Sequence, residues 1–304
     1  MKTLRQDSRG QVHPPLCMIF GDSGMGKTTD CGYSFPNALY IAAPGALTSI
    51  EATCGYKPAE IDAEDITDAT AKIKKLLELG AEYDAVVVDD FSFLHQKELS
   101  KWEQKNSKNA FFKFNKTNDA VLAFRNAARY AGLAVIVNCW EKPPKTSGGV
   151  YRKGGPALSG QMGEALPSMF DIVLRSGYDP NRRPWTGVYH CSQDPSWVTK
   201  DRTNIAGQLK VSPMNLGEIL RASSKYNISR LKGLEWQEEV VEQLTLQFLE
   251  GMKENPAHVY DLANEAYANL THKISPPFSR WTVRDALDRT IIRRGLAKSQ
   301  ASFC

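Results

Sequence analysis

At 304 residues, with 42% apolar and 24% charged residues, the chain has room for one sizeable α/β domain plus a smaller appendage and the balance of an ordinary soluble globular protein. A formal net charge of only +4 excludes a uniformly basic coat for nucleic acid, so any polyanion surface must be a local patch. The polar opening MKTLRQDSRGQVHPP lacks the apolar core of a secretory signal, and no stretch approaches the roughly 18 apolar residues of a membrane span, so a soluble, cytoplasmic protein with no membrane partner is expected.

Six cysteines (17, 31, 54, 139, 191, 304) are scattered with no CxxC pair, and the five histidines are equally dispersed. Reduced, mostly buried thiols are expected, and no metal site built from side chains alone.

In chain order, residues 1–13 read as a tail. LCMIF (16–20), ALYIA (38–42), AVVVD (85–89), LAVIVN (133–138), DIVLRS (171–176) and GVYHCS (187–192) then read as strands. Those up to 138 are nearly continuous apolar runs, as parallel strands covered on both faces are. DATAKIKKLLELGA (68–81) and NDAVLAFRNAARYAG (118–132) carry helical spacing and end near glycine. Strands alternating with helices predict a doubly wound, mostly parallel sheet flanked by helices over 14–212. From 213 to 304 the pattern is helical: GLEWQEEVVEQLTLQFLEGMKENP, HVYDLANEAYANLTHK and SRWTVRDALDRTIIRRGLA. No internal repeat or low-complexity tract is present.

GDSGMGKT (21–28) follows the first strand and precedes a predicted helix, matching G-x-x-x-x-G-K-[ST]. Gly21, Gly24 and Gly26 let backbone N–H groups of Asp22, Ser23, Met25 and Thr29 and their neighbours curl around phosphate oxygens. Lys27 reaches the β- and γ-phosphates, and the Thr28 hydroxyl ligates Mg²⁺. The partner carboxylate comes from DAVVVDD (84–90): Asp89 ends a buried strand and holds the Mg²⁺ water shell. Asp90 either orients the attacking water or caps a helix; the sequence leaves both open. NKTN (115–118) is near the guanine-reading N-K-x-D pattern, but it follows no apolar strand and ends in Asn118. It reads as a helix start, which favours ATP.

With these pieces in order the chain resembles a RecA-fold P-loop ATPase, and more narrowly the single-core RecA-like proteins of bacteriophages that act in single-strand annealing and recombination. The resemblance covers roughly residues 14–208. In VIVNCWEKPPKTSGGVYRKGGPALSGQMGEALPSMFDIVLR (135–175) it implies a polar sensor at Asn138, a mobile DNA-binding loop at 140–157, and a helix over SGQMGEALPSMF. In WVTKDRTNI (197–205) it implies that Lys200 and Arg202 reach the ATP of a neighbouring subunit. A plain basic turn is the alternative there. The family also implies a Glu after the second strand that polarises the attacking water. Here the turn is Ala42-Ala43-Pro44, with Pro44 in the Glu position. Loss of a positioned general base costs about 10²–10⁴-fold in rate, so slow hydrolysis is expected unless Asp90 or Glu51 substitutes.

Two segments mix positive charge with aromatics, as single-strand binders do. KWEQKNSKNAFFKFNK (101–116) offers Lys101, Trp102, Lys105 and Lys113; WEKPPKTSGGVYRKGG (140–155) offers Trp140, Lys142, Lys145, Tyr151, Arg152 and Lys153. The alternatives are an amphipathic helix with core aromatics and a plain flexible loop. Residues 273–298 carry seven Lys/Arg against Asp285 and Asp288, a local +5 with some helix-turn-helix flavour, in which Arg280, Arg284 and Arg289 lie towards a groove. A basic lid or subunit-packing element is the alternative.

The expected function is an ATP- and Mg²⁺-dependent, oligomeric ATPase on single-stranded DNA, forming a ring or filament, with a single-strand binding protein or replication protein as a further partner. Against it stands a nucleotide-switched assembly or loader protein with little turnover. A P-loop small-molecule kinase would need a substrate pocket and lid, and the Lys200/Arg202 turn counts against it.

Overall fold

In a computed structural model the described residues are 14–43, 45–54, 56–79, 83–105, 109, 111–160, 162–178, 187–191, 195–202, 211–221, 232–272 and positions 283, 286, 287, 289 and 290. The chain opens with β1 (Leu16–Phe20), α1 (Lys27–Ser34), β2 (Ala38–Ala42), α2 (Thr48–Cys54), β3 (Ala59–Ile61), α3 (Ile66–Leu79) and β4 (Ala85–Asp89). The helices α4 (Phe91–Lys105) and α5 (Phe112–Tyr130) lead to β5 (Ala134–Cys139). Four short strands follow: β6 (Glu141–Lys142), β7 (Lys145–Ser147), β8 (Val150–Arg152) and β9 (Gly155–Pro156). Next come α6 (Met162–Ala165), a 3₁₀ turn (Leu166–Met169), β10 (Ile172–Tyr178), β11 (Gly187–His190), β12 (Lys200–Asp201) and β13 (Val211–Pro213). The chain continues with α7 (Leu216–Arg221), α8 (Lys232–Glu254) and α9 (His258–His272).

The main sheet runs β13-β11-β10-β1-β5-β4-β2-β3, with β12 also beside β10. Pairings from β10 through β3 are parallel, while β11, β12 and β13 add an antiparallel edge. β5 lies between β1 and β4, so Asn138 stands between the phosphate-loop strand and the Asp89 strand. Every residue of β1, β2, β4 and β5 is buried, which is why they read as unbroken apolar runs. The fold is the mostly parallel α/β sheet flanked by helices, with a phosphate loop after β1, that the sequence implies.

Each face of the sheet has its own core. Cys31, Tyr33, Phe35 and Ile50 of the α1–α2 side join Leu216, Ile219 and Leu220 of α7 on one face. On the other, Ile66, Ala69 and Ile73 of α3 meet Phe91 and Leu94 of α4 and Val121 and Phe124 of α5. The helical period is visible in these triplets, and α3 starts where Asp65 Oδ1 accepts from Asp68 N at 2.9 Å, a side-chain cap.

Segment 101–116, read as a single-strand-binding segment or an amphipathic helix, is helical at both ends of its described part, as the end of α4 and the start of α5. Segment 140–157, read as mobile, is two β-ribbons: β6 pairs with β9, and β7 pairs with β8 through Gly148 and Gly149, both at positive φ. The change at 213 falls at the end of β13, and sheet-domain packing continues to Leu220. A third core follows, in which Val241, Leu244 and Phe248 of α8 meet Val259 and Ala263 of α9 together with Val283, Ala286 and Leu287. Arg280 and Arg284 lie outside the described residues; Arg289 pairs with Glu218 of α7. Among the described residues no helix is long and apolar enough to cross a membrane, and no three His, Cys, Asp or Glu side chains cluster as a metal site. Cys17, Cys31, Cys54, Cys139 and Cys191 are buried thiols outside any disulfide.

Candidate nucleotide site

The phosphate loop leaves β1 through Gly21, whose N–H donates to the Cys139 carbonyl at 3.3 Å. A Cβ on Gly21 would stand 2.1 Å from Ser176 Oγ, so only glycine fits between the loop and β10. Gly24 and Gly26 both hold φ of 80°, the left-handed region that glycine enters without strain. Gly26 caps α1 with no side-chain hydrogen bond, so donors of the first turn remain for an anion, aided by the helix dipole. Asp22, Ser23 and Gly24 are exposed along the rim, while Met25, Lys27, Thr28 and Thr29 are half-buried.

Lys27 Nζ donates to the carbonyls of Gly21 and Asp22, each at 2.8 Å, so its charge lies over the loop's mouth. Burial pushes its pKa down, and Asp89 and Asp90 oppose that. A phosphate would offer the ammonium a full counter-charge in place of two carbonyl dipoles.

Thr28 Oγ1 donates to Asp89 Oδ2 at 2.5 Å, joining the first turn of α1 to the end of β4. Asp89 is buried and its pKa is raised by desolvation, an effect that hydrogen bonds from Thr28 and Asn138 and the Lys27 charge only reduce. A hydroxyl and a desolvated carboxylate beside an uncapped helix N-terminus are the donor set a Mg²⁺ bound to nucleotide phosphates takes, so Thr28 and Asp89 fit that ion. Asn138 is fully buried, with its amide 3.6–3.7 Å from Cys31 Sγ and its hydrogen bond directed at Asp89. Cys31 is a site residue that sequence reasoning missed, since nothing in a lone cysteine on a helix announces an amide partner 107 residues away.

Asp90 caps α4. Its Oδ1 accepts from the backbone N–H of Ser92 at 2.7 Å and Phe93 at 3.3 Å. Burial and the neighbouring Asp89 charge raise its pKa to about 6. Of the two readings left open by the sequence, the helix cap is the one with geometry behind it.

Pro44 lies outside the described residues. The register pairing of Ala42 with Asp89 sets the C-terminal end of β2 beside that of β4. Glu51 is exposed in the first turn of α2. Lys200 and Arg202 lie at the opposite end of β10 from the loop. Lys200 Nζ donates to the carbonyls of Ser168 (2.6 Å) and Phe170 (2.5 Å), and Arg202 pairs with Asp171 at 3.1 Å. They are therefore away from the phosphate loop of their own chain.

The residues of 101–116 make contacts within the chain. Lys101 pairs with Asp65 at 2.7 Å, Trp102 Nε1 donates to buried Glu98 at 2.6 Å, and Lys113 pairs with Glu103 at 2.5 Å. Lys105 sits over the Trp102 ring at 4.7 Å. By contrast Trp140, Lys145, Tyr151, Arg152 and Lys153 are exposed, and Lys142 is half-buried. Just beyond the second segment, a Cβ on Gly160 would stand 3.7 Å from Phe114 of the first.

A family model described as an AAA domain matches residues 13–203. The chain belongs to this AAA domain family. The match spans the phosphate loop, Asp89, Asn138 and both β-ribbons, which makes this a nucleotide-binding ATPase domain. Among solved structures the chain is similar to a KaiC-like protein of the hyperthermophilic archaeon Pyrococcus horikoshii, at 14% identity and a TM-score of 0.38, over 59% of this chain and 79% of that one. No curated protein sequence matches the chain.

Proposed function

We propose that this AAA domain protein binds ATP with Mg²⁺ and acts on single-stranded DNA in annealing, recombination or replication of the bacteriophage type, in the host cytoplasm. It assembles into a ring or filament, with a single-strand binding or replication protein as a further partner. Hydrolysis is slow and raised by DNA or by assembly. Lys200 and Arg202 serve the nucleotide of a neighbouring subunit, and their distance from their own phosphate loop supports that role.

The observation that carries the DNA reading is the exposed β7–β8 hairpin. Lys145 stands directly opposite Arg152, while Tyr151 alternates to the other face opposite Thr146. Like charges facing each other across a ribbon are unfavourable by themselves, and a backbone phosphate between them removes that cost. Tyr151 and Trp140 supply faces for base stacking. In fluorescence anisotropy with a single-stranded oligothymidylate and a non-hydrolysable ATP analogue, the wild type should bind with steep salt dependence. Tyr151→Ala should lose about tenfold in affinity, the worth of one stacked base. Unchanged affinity after that substitution and after Lys145→Glu with Arg152→Glu overturns the reading.

A second reading, in which ATP holds an assembly together with little turnover, is favoured by the use of Asp90 as a helix cap. Turnover that stays negligible in the presence of DNA would select it.

A further inference from the structure

We infer that Arg175 and Trp197 form a strut joining the phosphate loop to the β7–β8 hairpin, through which bound nucleotide sets the pose of the hairpin. Two packed routes leave the loop. On one, Gly21 is wedged against Ser176, and the next residue back along β10 is Arg175, the register partner of Phe20. On the other, Gly21 N–H is bonded to the Cys139 carbonyl, two residues before Glu141 of β6.

The routes meet at one place. Arg175 forms a two-pronged pair with Glu141, Nε to Oε2 at 2.9 Å and Nη2 to Oε1 at 3.2 Å. Its guanidinium lies 3.7 Å over the Trp197 ring, which also stacks with Phe20 at 6.2 Å between ring centroids. Trp197 in turn abuts the hairpin's root. A Cβ on Gly154 would stand 2.5 Å from the indole, Gly154 N donates to the Ser196 carbonyl at 2.8 Å, and Val198 N donates to the Gly154 carbonyl at 2.9 Å.

The two glycine approaches are tight. Gly21 cannot move towards β10 without displacing Ser176, and Gly154 cannot approach without displacing the indole. A planar guanidinium stacked on indole and doubly bonded to a carboxylate transmits both translation and rotation, which a lysine point charge does not. Close-packed interiors pass on sub-ångström shifts instead of absorbing them. By linkage, a ligand on the hairpin then changes nucleotide affinity by the same factor that nucleotide changes the ligand's. Only the identity of that ligand rests on the function proposed above; the strut does not.

Hydrogen exchange of the full chain, read over residues 141–156 by mass spectrometry with Mg²⁺ and a non-hydrolysable ATP analogue, tests it. Nucleotide should change exchange there by about fivefold or more in the wild type, the lower end of usual coupling. In Arg175→Lys and Gly154→Ala the change should fall below twofold while nucleotide affinity, measured separately, persists. A wild-type hairpin indifferent to nucleotide, or a full response in both variants, overturns the strut. If the response is present but no oligothymidylate binds, the strut stands and the DNA reading fails.

Discussion

His95 gives the sharpest quantitative prediction outside the nucleotide site. It sits on α4 with 1% of its surface exposed, and among the described residues neither ring nitrogen has a hydrogen-bond partner. Burial lowers its pKa from 6.5 to about 4. The unfolded chain therefore binds a proton between pH 6.5 and 4 that the folded chain refuses. The stability supplied by neutral His95 is complete above pH 6.5 and drains away as pH falls towards 4. Between pH 7.5 and 5.0 this one group removes about 2 kcal/mol. Urea unfolding of the wild type and of His95→Leu at both pH values isolates the effect, because other titrating groups act on both proteins alike. His95→Leu should lose about 2 kcal/mol less on acidification. At pH 7.5 it should be as stable as wild type or more so, since two unpartnered buried nitrogens are replaced by apolar atoms of similar volume. Equal acid losses in the two proteins would refute the reasoning.

Asp90→Ala should destabilise the chain by about 1 kcal/mol through loss of the α4 cap, whereas Asp90→Ser should keep most of that stability; thermal melts compare them. If Asp90 only caps, both variants hydrolyse ATP at rates near wild type, and a collapse of turnover in the serine variant would assign it the water instead. Asp30→Ala strands the donors Tyr189 Oη and Leu216 N, which both reach its Oδ2, and should cost about 2 kcal/mol or more in urea unfolding. An unaltered urea midpoint would mean that those donors find other partners. Gly21→Ala forces its new methyl into Ser176 and should cost about 1–3 kcal/mol as overpacking, together with nucleotide affinity measured by titration.

The parts legible in the sequence were those whose physics is local. Unbroken apolar runs gave β1, β2, β4 and β5, and glycine spacing gave the loop that Lys27 and Thr28 close. What escaped depends on contacts distant in sequence. α4 buries His95 and Glu98 on its inner side, so its apolar period is broken by polar residues that only tertiary structure brings inside. The hairpin carried a readable signal, since Gly148-Gly149 between Lys-Thr-Ser and Val-Tyr-Arg is the spacing of a tight two-residue turn, yet paired glycines also suit a mobile loop. α7 follows β13 so closely that composition places it with the later helices. Its seat on α1 is fixed by Asp30 and by Ser34, which accepts from Gly217 N at 3.0 Å. Arg175, Glu141 and Trp197 share no motif; only the sheet register assembles them.

The central claim is tested most directly by steady-state ATP hydrolysis of the full chain with Mg²⁺, with and without single-stranded DNA. The account predicts slow basal turnover that rises on addition of DNA and disappears in Lys27→Ala. Rapid turnover indifferent to DNA, or turnover that survives Lys27→Ala, would contradict it.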